Sequence, residues 1–452
     1  MKSKLALLIA PAALALTAAE LTVAPYAADV TTPLGSPLCF GLVKPAAQIV
    51  DPLTARGIVL RGAGRPIVLA AVDWLGISND SHDRWRDALA AAAGTSPERV
   101  SVHVLHQHDA PGHDDTAARL LREQGLPGTL QDDAFNTAAI ERTAAAVRAA
   151  QPRRFTHIGT GRSEVKMVAS NRRILGDDGK VRWTRMSSSR IPEAVAAPEG
   201  AIDPFLESIS FWDGESRAVA VLTYYATHPQ SHYGQGGVGW EFVGMARAAR
   251  ERALPGVAHI HFNGAGGNVA AGKYNDGAPE KRAQLAARVE AGMAAAWEAT
   301  RKTRVKAKDI GWITQPVALP LRDSKGEAEL RALVNDAQAK PAERMRAARD
   351  LSFTLRSRAG HRIQLSRLHL GPAETIYLPG ELFIEYQLAA RRFLGGERTL
   401  GVAAYGDLGP GYIGTEIAYG QGGYETGVVS RTAPSVEGVL TEAIRRLVQQ
   451  PR

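Results

Sequence analysis

Short apolar runs alternate with longer amphipathic stretches along most of this chain. The apolar runs predict strands at 67–73, 100–106, 218–228, 257–262 and 375–378. The amphipathic stretches are rich in Ala, Arg and Glu and predict helices near 82–94, 135–150, 241–253, 279–301, 326–350 and 435–449. Because this alternation is typical of sheets covered by helices, we expect an α/β fold: one large domain with a central mixed β-sheet structure flanked by helices. We interpret the segment around 320–360 as a helical insertion in that domain.

The first 19 residues have a different pattern. Lys2 and Lys4 precede an apolar stretch from Leu5 to Leu16, and small residues follow it. A basic start, an apolar core too short to span a bilayer and a small-residue exit are typical of a secretory signal peptide. A buried N-terminal helix is the alternative. We expect cleavage after residue 19, or as late as residue 28, and a mature domain at 30–452 that is secreted or periplasmic.

Composition limits the class of protein and the kind of metal site. The 452 residues are 45% hydrophobic and 22% charged, which is typical of a globular protein and excludes a collagen, a low-complexity polymer and a multi-pass membrane protein. A single cysteine, Cys39, forms no intramolecular disulfide and no cysteine-rich zinc site. Any transition metal must therefore be held by His, carboxylate or phenolate groups.

The charge is moderately basic and locally concentrated. The formal net charge is +8, and it falls to +6 once Lys2 and Lys4 are removed. Seven arginines lie in the segment 343–369. We interpret this segment as a solvated helix face, and peripheral contact with an anionic membrane surface is the alternative. No aromatic residues interleave with the basic ones, so nucleic acid is not an expected partner. The oligomeric state is not predicted.

The side chains able to bind a metal or take part in catalysis lie where the predicted strands end. In RVSVHVLHQHDAPGHD, alternate residues of one strand face are Val100, Val102, Val104, His106 and His108. Since alternate residues share a face, the two imidazoles are expected on the same side of the sheet. They either bind one metal together, or one binds while the other carries protons. Two buried structural histidines are the alternative.

Two further strand ends carry polar or glycine-rich sequence. The run 218–226 leads to His228 and Pro229, and the run 257–262 leads to the loop NGAGGNVA at 263–270. Ligand sites of α/β sheets favour such strand ends. We expect the loop glycines to permit close approach and to point N–H groups at a substrate oxygen, and a plain tight turn is the alternative. No G-x-S-x-G elbow or P-loop occurs, which argues against a typical serine α/β-hydrolase and a P-loop NTPase.

The order of the motifs resembles that of the neutral/alkaline (non-lysosomal) ceramidase family. From about residue 35 to 450 these are AVDWLGISN, HQHDAPG, SNRR, THPQSHYG, GWEFVGMA, FNGAGGNV, LPGELF and GYIGTEIAYGQGGYE. The resemblance implies the fold of the family's catalytic domain and a zinc-dependent amidohydrolase. The family cleaves the amide of ceramide into sphingosine and fatty acid. We do not expect the family's C-terminal immunoglobulin-like domain, because the sequence ends soon after the last motif.

The resemblance also implies a set of site residues. Four residues would hold one Zn²⁺ per chain: His106, His228, Glu381 and Tyr412. Three residues would surround the reacting carbonyl: His108, Arg172 and Tyr424. Two imidazoles, a carboxylate and a phenolate form a nitrogen and oxygen site that suits zinc without any cysteine. The inclusion of Glu381 and Tyr412 depends on the resemblance alone.

Two positions depart from the family's pattern. The loop that usually reads GDVS is Gly267-Asn268-Val269-Ala270, so Ala270 has no hydroxyl, and Asp109 follows His108 where the family has serine. The leading hypothesis is an exported zinc hydrolase that cleaves the amide of an N-acyl lipid or related compound with activated water. The alternatives are a zinc hydrolase for a non-ceramide ester or amide, and a non-catalytic exported lipid- or ligand-binding homologue. In each case the partner is a small molecule or lipid.

Overall fold

The computed structural model describes residues 20–322, 325–396 and 398–451. The predicted signal peptide at 1–19 lies outside the described residues. Within those ranges, no helix combines the length and the apolar character needed to cross a membrane.

Helices cover about the positions that the periodicity predicts, and the sequence pattern missed several. In the described part of the chain they are Asp80–Ala93, Asp115–Arg122, Asp133–Ala149, Pro192–Ala196, Glu241–Ala253, Pro279–Glu298, Glu327–Asn335, Pro341–Arg358, Ile384–Leu394, Glu416–Gln421 and Val436–Gln449. The single helix predicted at 326–350 is in fact two helices. Pro341 has no N–H to donate and occupies the first turn of the second helix, so the chain breaks before it.

Three larger sheets form the β structure. In order across each sheet, the first contains Val100–Val104, Ile67–Val72, Thr54–Arg61, Thr22–Asp29 and Arg153–Arg154. The second contains Ala258–Asn263, Arg217–Tyr225, Phe205–Asp213, His157–Glu164 and Arg301–Arg304. The third contains Ile310–Val317, Ile363–Leu370, Ala373–Tyr377 and Thr399–Ala403. The predicted mixed α/β class is confirmed, with the strands divided among several sheets.

Five two-stranded pairs complete the described β structure. They are Ser170–Asn171 with Val269–Ala270, Arg173–Leu175 with Val181–Thr184, Gln48–Ile49 with Gly237–Val238, Glu381–Leu382 with Tyr412–Ile413, and Gly76–Ile77 with Gly112–His113. The parallel pairing of Glu381 with Tyr412 places two predicted zinc ligands side by side.

One parallel strand pair lies in each larger sheet, and all other pairings there are antiparallel. The parallel pairs are Ile67–Val72 with Val100–Val104, Arg217–Tyr225 with Ala258–Asn263, and Ala373–Tyr377 with Thr399–Ala403. Hydrogen bonds join their carboxyl ends: the Val104 N–H donates to the Tyr405 carbonyl at 3.0 Å, and the Ala404 N–H donates to the Asn263 carbonyl at 2.9 Å. The loops that leave the three sheets therefore converge on one region.

The interpretation of the basic segment 343–369 as a solvated helix face holds only in part, since Arg346, Arg358 and Arg362 are exposed and other arginines are not. Arg344 and Arg367 are buried. The Arg344 Nε donates to the Val334 carbonyl at 2.9 Å, and Arg367 pairs with the Glu374 carboxylate at 2.9 Å. Arg344 lies on the helix Pro341–Arg358 and Arg367 on the strand Ile363–Leu370, and both direct their N–H groups to buried acceptors. Contact with a membrane surface stays a prediction.

Candidate functional site

His106 and His108 lie in the loop that follows the strand Val100–Val104. The strand ends two residues earlier than predicted, and His106 has a left-handed backbone with φ of 66°. Its N–H donates to the Trp74 carbonyl at 2.8 Å, which fixes this strained turn. The two imidazole rings lie 4.8 Å apart. A bend in the loop, and not strand alternation, brings them together.

His228 completes a cluster of three imidazoles. It follows the strand Arg217–Tyr225, and its ring lies 4.8 Å from that of His106 and 5.5 Å from that of His108. One nitrogen from each residue lies within 4.8 Å of the other two, which is the spacing of groups able to hold a metal ion. The structure thus places His108, predicted as a proton carrier, close enough to be considered as a third ligand.

Each of the three imidazole rings forms a hydrogen bond to a backbone carbonyl through Nδ1, so its Nε2 atom is free to face the centre of the cluster. The Nδ1 atom of His106 lies 2.7 Å from the Leu75 carbonyl, that of His228 lies 3.1 Å from the Gly266 carbonyl, and that of His108 lies 3.2 Å from the His106 carbonyl. A carbonyl only accepts, so each Nδ1 carries the proton and donates. Neutral rings of this tautomer direct Nε2 lone pairs inward, as metal-binding histidines do.

Glu381 faces these lone pairs. Its Oε2 lies 3.1 Å from the His106 Nε2 and 3.8 Å from the His228 Nε2. Both Oε2 and the His106 Nε2 are buried and lack a hydrogen-bond partner among the described residues. Two acceptors that face each other repel unless a metal ion or a proton lies between them. This pairing is the observation that most directly fits a metal ion.

The pKa values of the site residues follow from burial and from neighbouring charges. Burial lowers the pKa of His108 and His228 well below the ordinary value, and nearby His106 and Arg172 add to the effect. Burial alone raises the pKa of Glu381, but His106, Tyr412 and Arg172 together hold it below its usual range. At neutral pH, His108 and His228 are therefore neutral and Glu381 is ionised, which are the protonation states that metal binding requires of these groups.

Arg172 orients the predicted phenolate ligand. Its Nη1 donates to the Tyr412 hydroxyl at 3.1 Å, and its Nε pairs with the Glu425 carboxylate at 3.1 Å. Glu425 is fully buried and pairs with Arg173 at the same distance. Burial and Glu381 raise the pKa of the Tyr412 hydroxyl well above its ordinary value, and the Arg172 charge opposes this. Without a metal the Tyr412 phenol therefore keeps its proton at neutral pH. A bound metal cation would lower the pKa of this hydroxyl, as the charge of Arg172 does.

Tyr424 lies at the rim of the site. Its ring stands edge-on to the Tyr412 ring at 5.7 Å, the Arg172 guanidinium lies 5.6 Å from its centroid, and 44% of the residue is exposed. Burial of its hydroxyl raises the pKa of Tyr424 to about 12, so the group is a hydrogen-bond donor at neutral pH. The structure therefore brings all seven predicted site residues into one neighbourhood.

Two of the three glycines in the loop 263–270 use their N–H groups within the fold, so the prediction that they point at a substrate oxygen is wrong for these two positions. The Gly264 N–H donates to the Tyr225 carbonyl and the Gly267 N–H donates to the Leu382 carbonyl, both at 2.8 Å. A Cβ on Gly266 would lie 2.9 Å from the His228 nitrogen, and one on Gly267 would lie 2.3 Å from the Glu381 carbonyl oxygen. The glycines are needed because the loop packs against the backbone of His228 and Glu381.

The serines near the site are engaged in structural hydrogen bonds. Ser170 donates to the Ala270 carbonyl at 2.8 Å, and the two residues pair across a short antiparallel ladder. The Ser231 hydroxyl lies 2.8 Å from the Glu241 carboxylate and accepts from Arg282 at 2.9 Å. Neither hydroxyl contacts an imidazole of the cluster.

Two residues that sequence analysis missed support the cluster. The Tyr405 ring stacks on the His106 ring at 4.8 Å, and its hydroxyl oxygen lies 3.3 Å from the His228 Nδ1. Glu425 neutralises Arg172, as described above. Tyr405 follows the strand Thr399–Ala403, so its place after a strand end was a usable signal. Glu425 has no such signal beyond its position next to Tyr424.

A pocket with a volume of about 110 Å³ borders the cluster. His106, His108, Glu381, Tyr412 and Tyr424 form part of its wall. In a tetrahedral zinc site with bonds of about 2.0–2.1 Å, neighbouring ligand atoms lie about 3.3 Å apart. The Glu381 distances to the two imidazoles, 3.1 and 3.8 Å, lie on either side of this value. The donor set and its spacing fit zinc, and a small polar molecule has access to it.

Comparison with known proteins supports the fold. No family model matches the sequence, and no curated protein matches it either. The structure of neutral ceramidase from Pseudomonas aeruginosa superposes with a TM-score of 0.69 and 15% identity, covering 95% of this chain and 74% of that one. A structure described as ceramidase complexed with C2 gives a TM-score of 0.68 and 15% identity, covering 95% and 75% of the two chains. The chain therefore has the fold of the neutral ceramidase structures, as the motif order predicts.

Proposed function

We propose that this chain is an exported zinc-dependent hydrolase that cleaves the linear amide of an N-acyl lipid or related N-acyl compound. The observation that carries the proposal is the cluster of acceptors without donors, in which the His106 Nε2 faces the Glu381 Oε2 at 3.1 Å next to His228. The fold supports it, because its structural neighbours are a neutral ceramidase and a ceramidase complexed with C2.

We assign the zinc ligands to His106, His228, Glu381 and Tyr412. The Nε2 atoms of His106 and His228 face the same Glu381 oxygen. Tyr412 lies beside Glu381 across the short parallel strand pair. When bound, zinc polarises a carbonyl and lowers the pKa of a water molecule to about 7.

The remaining side chains bind the substrate and move protons. The His108 Nε2 accepts a proton from the attacking water and delivers it to the leaving amine nitrogen, so that the amine departs neutral. Arg172 holds the Tyr412 hydroxyl, and its positive charge favours the negative charge that develops on the carbonyl oxygen. Tyr424, at the rim, donates its O–H to the same oxygen. This division of roles needs no serine at position 270.

A labelling experiment tests the nucleophile. If water attacks the carbonyl directly, a single turnover in H₂¹⁸O places one ¹⁸O atom in the released acid, and the time course shows no burst. Ser170 and Ser231 are already engaged in structural hydrogen bonds, which supports this expectation. An acyl-serine trapped and located by mass spectrometry would contradict the mechanism.

Export has its own test. We expect the protein isolated from the periplasm or medium to begin between residues 20 and 29, as read by N-terminal sequencing. A protein retained in the cytoplasm with residues 1–19 intact would contradict the assignment of a signal peptide.

A further inference from the structure

Arg349 lies on the wall of the same pocket as the imidazole cluster, yet the mechanism above does not use it. It belongs to the helix Pro341–Arg358, and the pocket that it lines also contains His106, His108 and Glu381. Its Nε is buried and has no hydrogen-bond acceptor among the described residues. No carboxylate in those residues forms an ion pair with it.

The two carboxylates whose charges act most strongly on Arg349 are bound to other groups. Asp350 pairs with Arg431 at 2.7 Å. Asp114 accepts hydrogen bonds from Asn79 at 2.9 Å and from Ser352 at 2.8 Å. Burial and the charge of Arg431 lower the pKa of Arg349 to about 10, so it stays a cation at neutral pH. The Arg349 residue is partly buried, and its Nε is withdrawn from solvent without an acceptor, a cost that is often retained at functional sites where a ligand supplies the missing partner.

The Arg349 guanidinium makes a stacking contact on one face, but its N–H groups lack acceptors among the described residues. Its central carbon lies 3.7 Å from the centroid of the Phe40 ring, a stacking contact that fixes the plane of the group. Stacking leaves the N–H edge without acceptors, and this edge makes paired hydrogen bonds to planar oxyanions. Phe40 has a left-handed backbone with φ of 54°, so the ring that orients Arg349 is itself held in a strained turn.

The surroundings of Arg349 suit a charged amphiphile. Arg346 and Arg431 line the same pocket, and both also line an adjoining pocket of about 380 Å³. Leu330, Leu333 and Val428 contribute apolar walls to the second pocket. A carbonyl at the imidazole cluster, an anion near Arg349 and an alkyl chain along these apolar walls would use all three features. Ceramide has no charge and leaves the arginine unpaired.

We propose that Arg349 binds an oxyanion of the substrate, so that the preferred substrate is an N-acyl amine with a carboxylate, such as a long-chain N-acyl amino acid. This inference rests on the proposed hydrolase function and names its substrate class. It follows from an oriented guanidinium without an acceptor, next to the reacting site and an apolar pocket. A phosphate on the amine part would meet the same N–H edge, so the experiment separates the two.

A matched substrate series tests the proposal with the zinc-loaded protein. The substrates are N-lauroylglycine, N-lauroylethanolamine phosphate, N-lauroylethanolamine and N-lauroylsphingosine. Because hydrogen bonds to charged groups are strong, we expect kcat/KM for N-lauroylglycine to exceed that for N-lauroylethanolamine by about 10- to 100-fold, mostly through KM. Arg349→Gln should abolish this preference, because it lowers kcat/KM for N-lauroylglycine far more than kcat/KM for N-lauroylethanolamine. Arg349→Lys restores part of it.

Two controls keep the outcome interpretable. Arg358→Gln changes an exposed arginine of the same helix that pairs with Glu327, and it should leave the substrate preference unchanged. Binding is measured separately with ketone isosteres of N-lauroylglycine and N-lauroylethanolamine, in which a methylene replaces the amide N–H and prevents cleavage. Calorimetry should show the same loss of anion preference in Arg349→Gln.

Distinct results overturn distinct claims. If wild type cleaves charged and neutral amides equally well, the anion site is refuted and the hydrolase stands. An equal loss of kcat on both amides in Arg349→Gln would place the arginine at the reacting carbonyl and also refute it. A stronger preference for the phosphate than for the carboxylate would overturn the assignment to N-acyl amino acids. If no amide is cleaved but the isosteres bind with the predicted preference, the hydrolase fails and the anion site stands.

Discussion

The buried ion pair between Arg172 and Glu425 offers a sharp test of how the site is held together. Glu425 is fully buried, accepts a hydrogen bond from Arg173 at 3.1 Å and forms an ion pair with Arg172 at the same distance. Glu425→Gln keeps the shape of the side chain and removes the charge, so two guanidinium groups lose their counterion. Breaking a buried pair in this way costs about 3–5 kcal/mol.

The expected change in melting temperature follows from the size of the chain. An unfolding entropy of about 2.1 cal/mol/K per residue gives about 0.9 kcal/mol/K for a protein of this length, so Tm should fall by about 3–6 °C. Arg172 would also lose the contact that directs its Nη1 to the Tyr412 hydroxyl. Since such supporting contacts typically contribute 10- to 100-fold to metal affinity or activity, kcat/KM should fall by a similar factor.

A second buried carboxylate provides the matched control. Glu374 is equally buried and pairs with Arg367 and His369 at 2.9 Å each, in the third sheet. Glu374→Gln should lower Tm by a similar amount and leave kcat/KM unchanged at a temperature where both variants are folded. Differential scanning calorimetry and steady-state kinetics measure the two effects. Equal activity of the two variants would refute the positioning role of Glu425.

Three further predictions concern single residues. His108→Ala should keep its zinc and lose about 10²- to 10⁴-fold in kcat, because it removes a proton carrier; loss of the metal would make His108 a ligand instead. Gly266→Ala should weaken metal binding, since the new Cβ would lie 2.9 Å from the backbone nitrogen of His228 and displace that residue, whereas Gly438→Ala, with no atom within 4 Å, should not. Burial raises the pKa of Asp114 to about 7, so the folded state binds a proton more tightly than the unfolded state and stability should fall as pH rises from about 4 to 7. Urea unfolding at pH 5 and 7.5 should show a smaller fall for Asp114→Asn, and an unchanged pH dependence would contradict the assignment.

Periodicity predicted the elements well where local signals are strong. The helix Glu241–Ala253 begins and ends at the predicted residues, and the buried strands near 67–73 and 257–262 are shifted by only one residue at an end. Pro341 was a readable start signal that the sequence analysis passed over, so two helices were predicted as one. The strands at 22–29 and 205–213 were missed.

The site was predicted in part for reasons that the structure corrects. His106 and His108 were placed on one strand face, but a left-handed turn at His106 brings their rings together, and no residue type signals that turn. Glu381 and Tyr412 meet through a two-residue parallel pair between distant segments, which only family motifs indicated. Tyr405 and Glu425 act through tertiary contacts that a single sequence does not encode locally. Strand ends predict where a site lies, and the fold determines which atoms face each other.

Zinc content per chain tests the central claim most directly. The protein is purified without chelator, and metal is measured by inductively coupled plasma mass spectrometry in wild type, in His106→Ala, in His228→Ala and in the double variant. We predict about one zinc per chain in wild type, loss of zinc and amide hydrolysis together in each single variant, and none of either in the double variant. Full zinc occupancy in the double variant, or amide hydrolysis by a wild-type protein stripped of metal, would contradict the account.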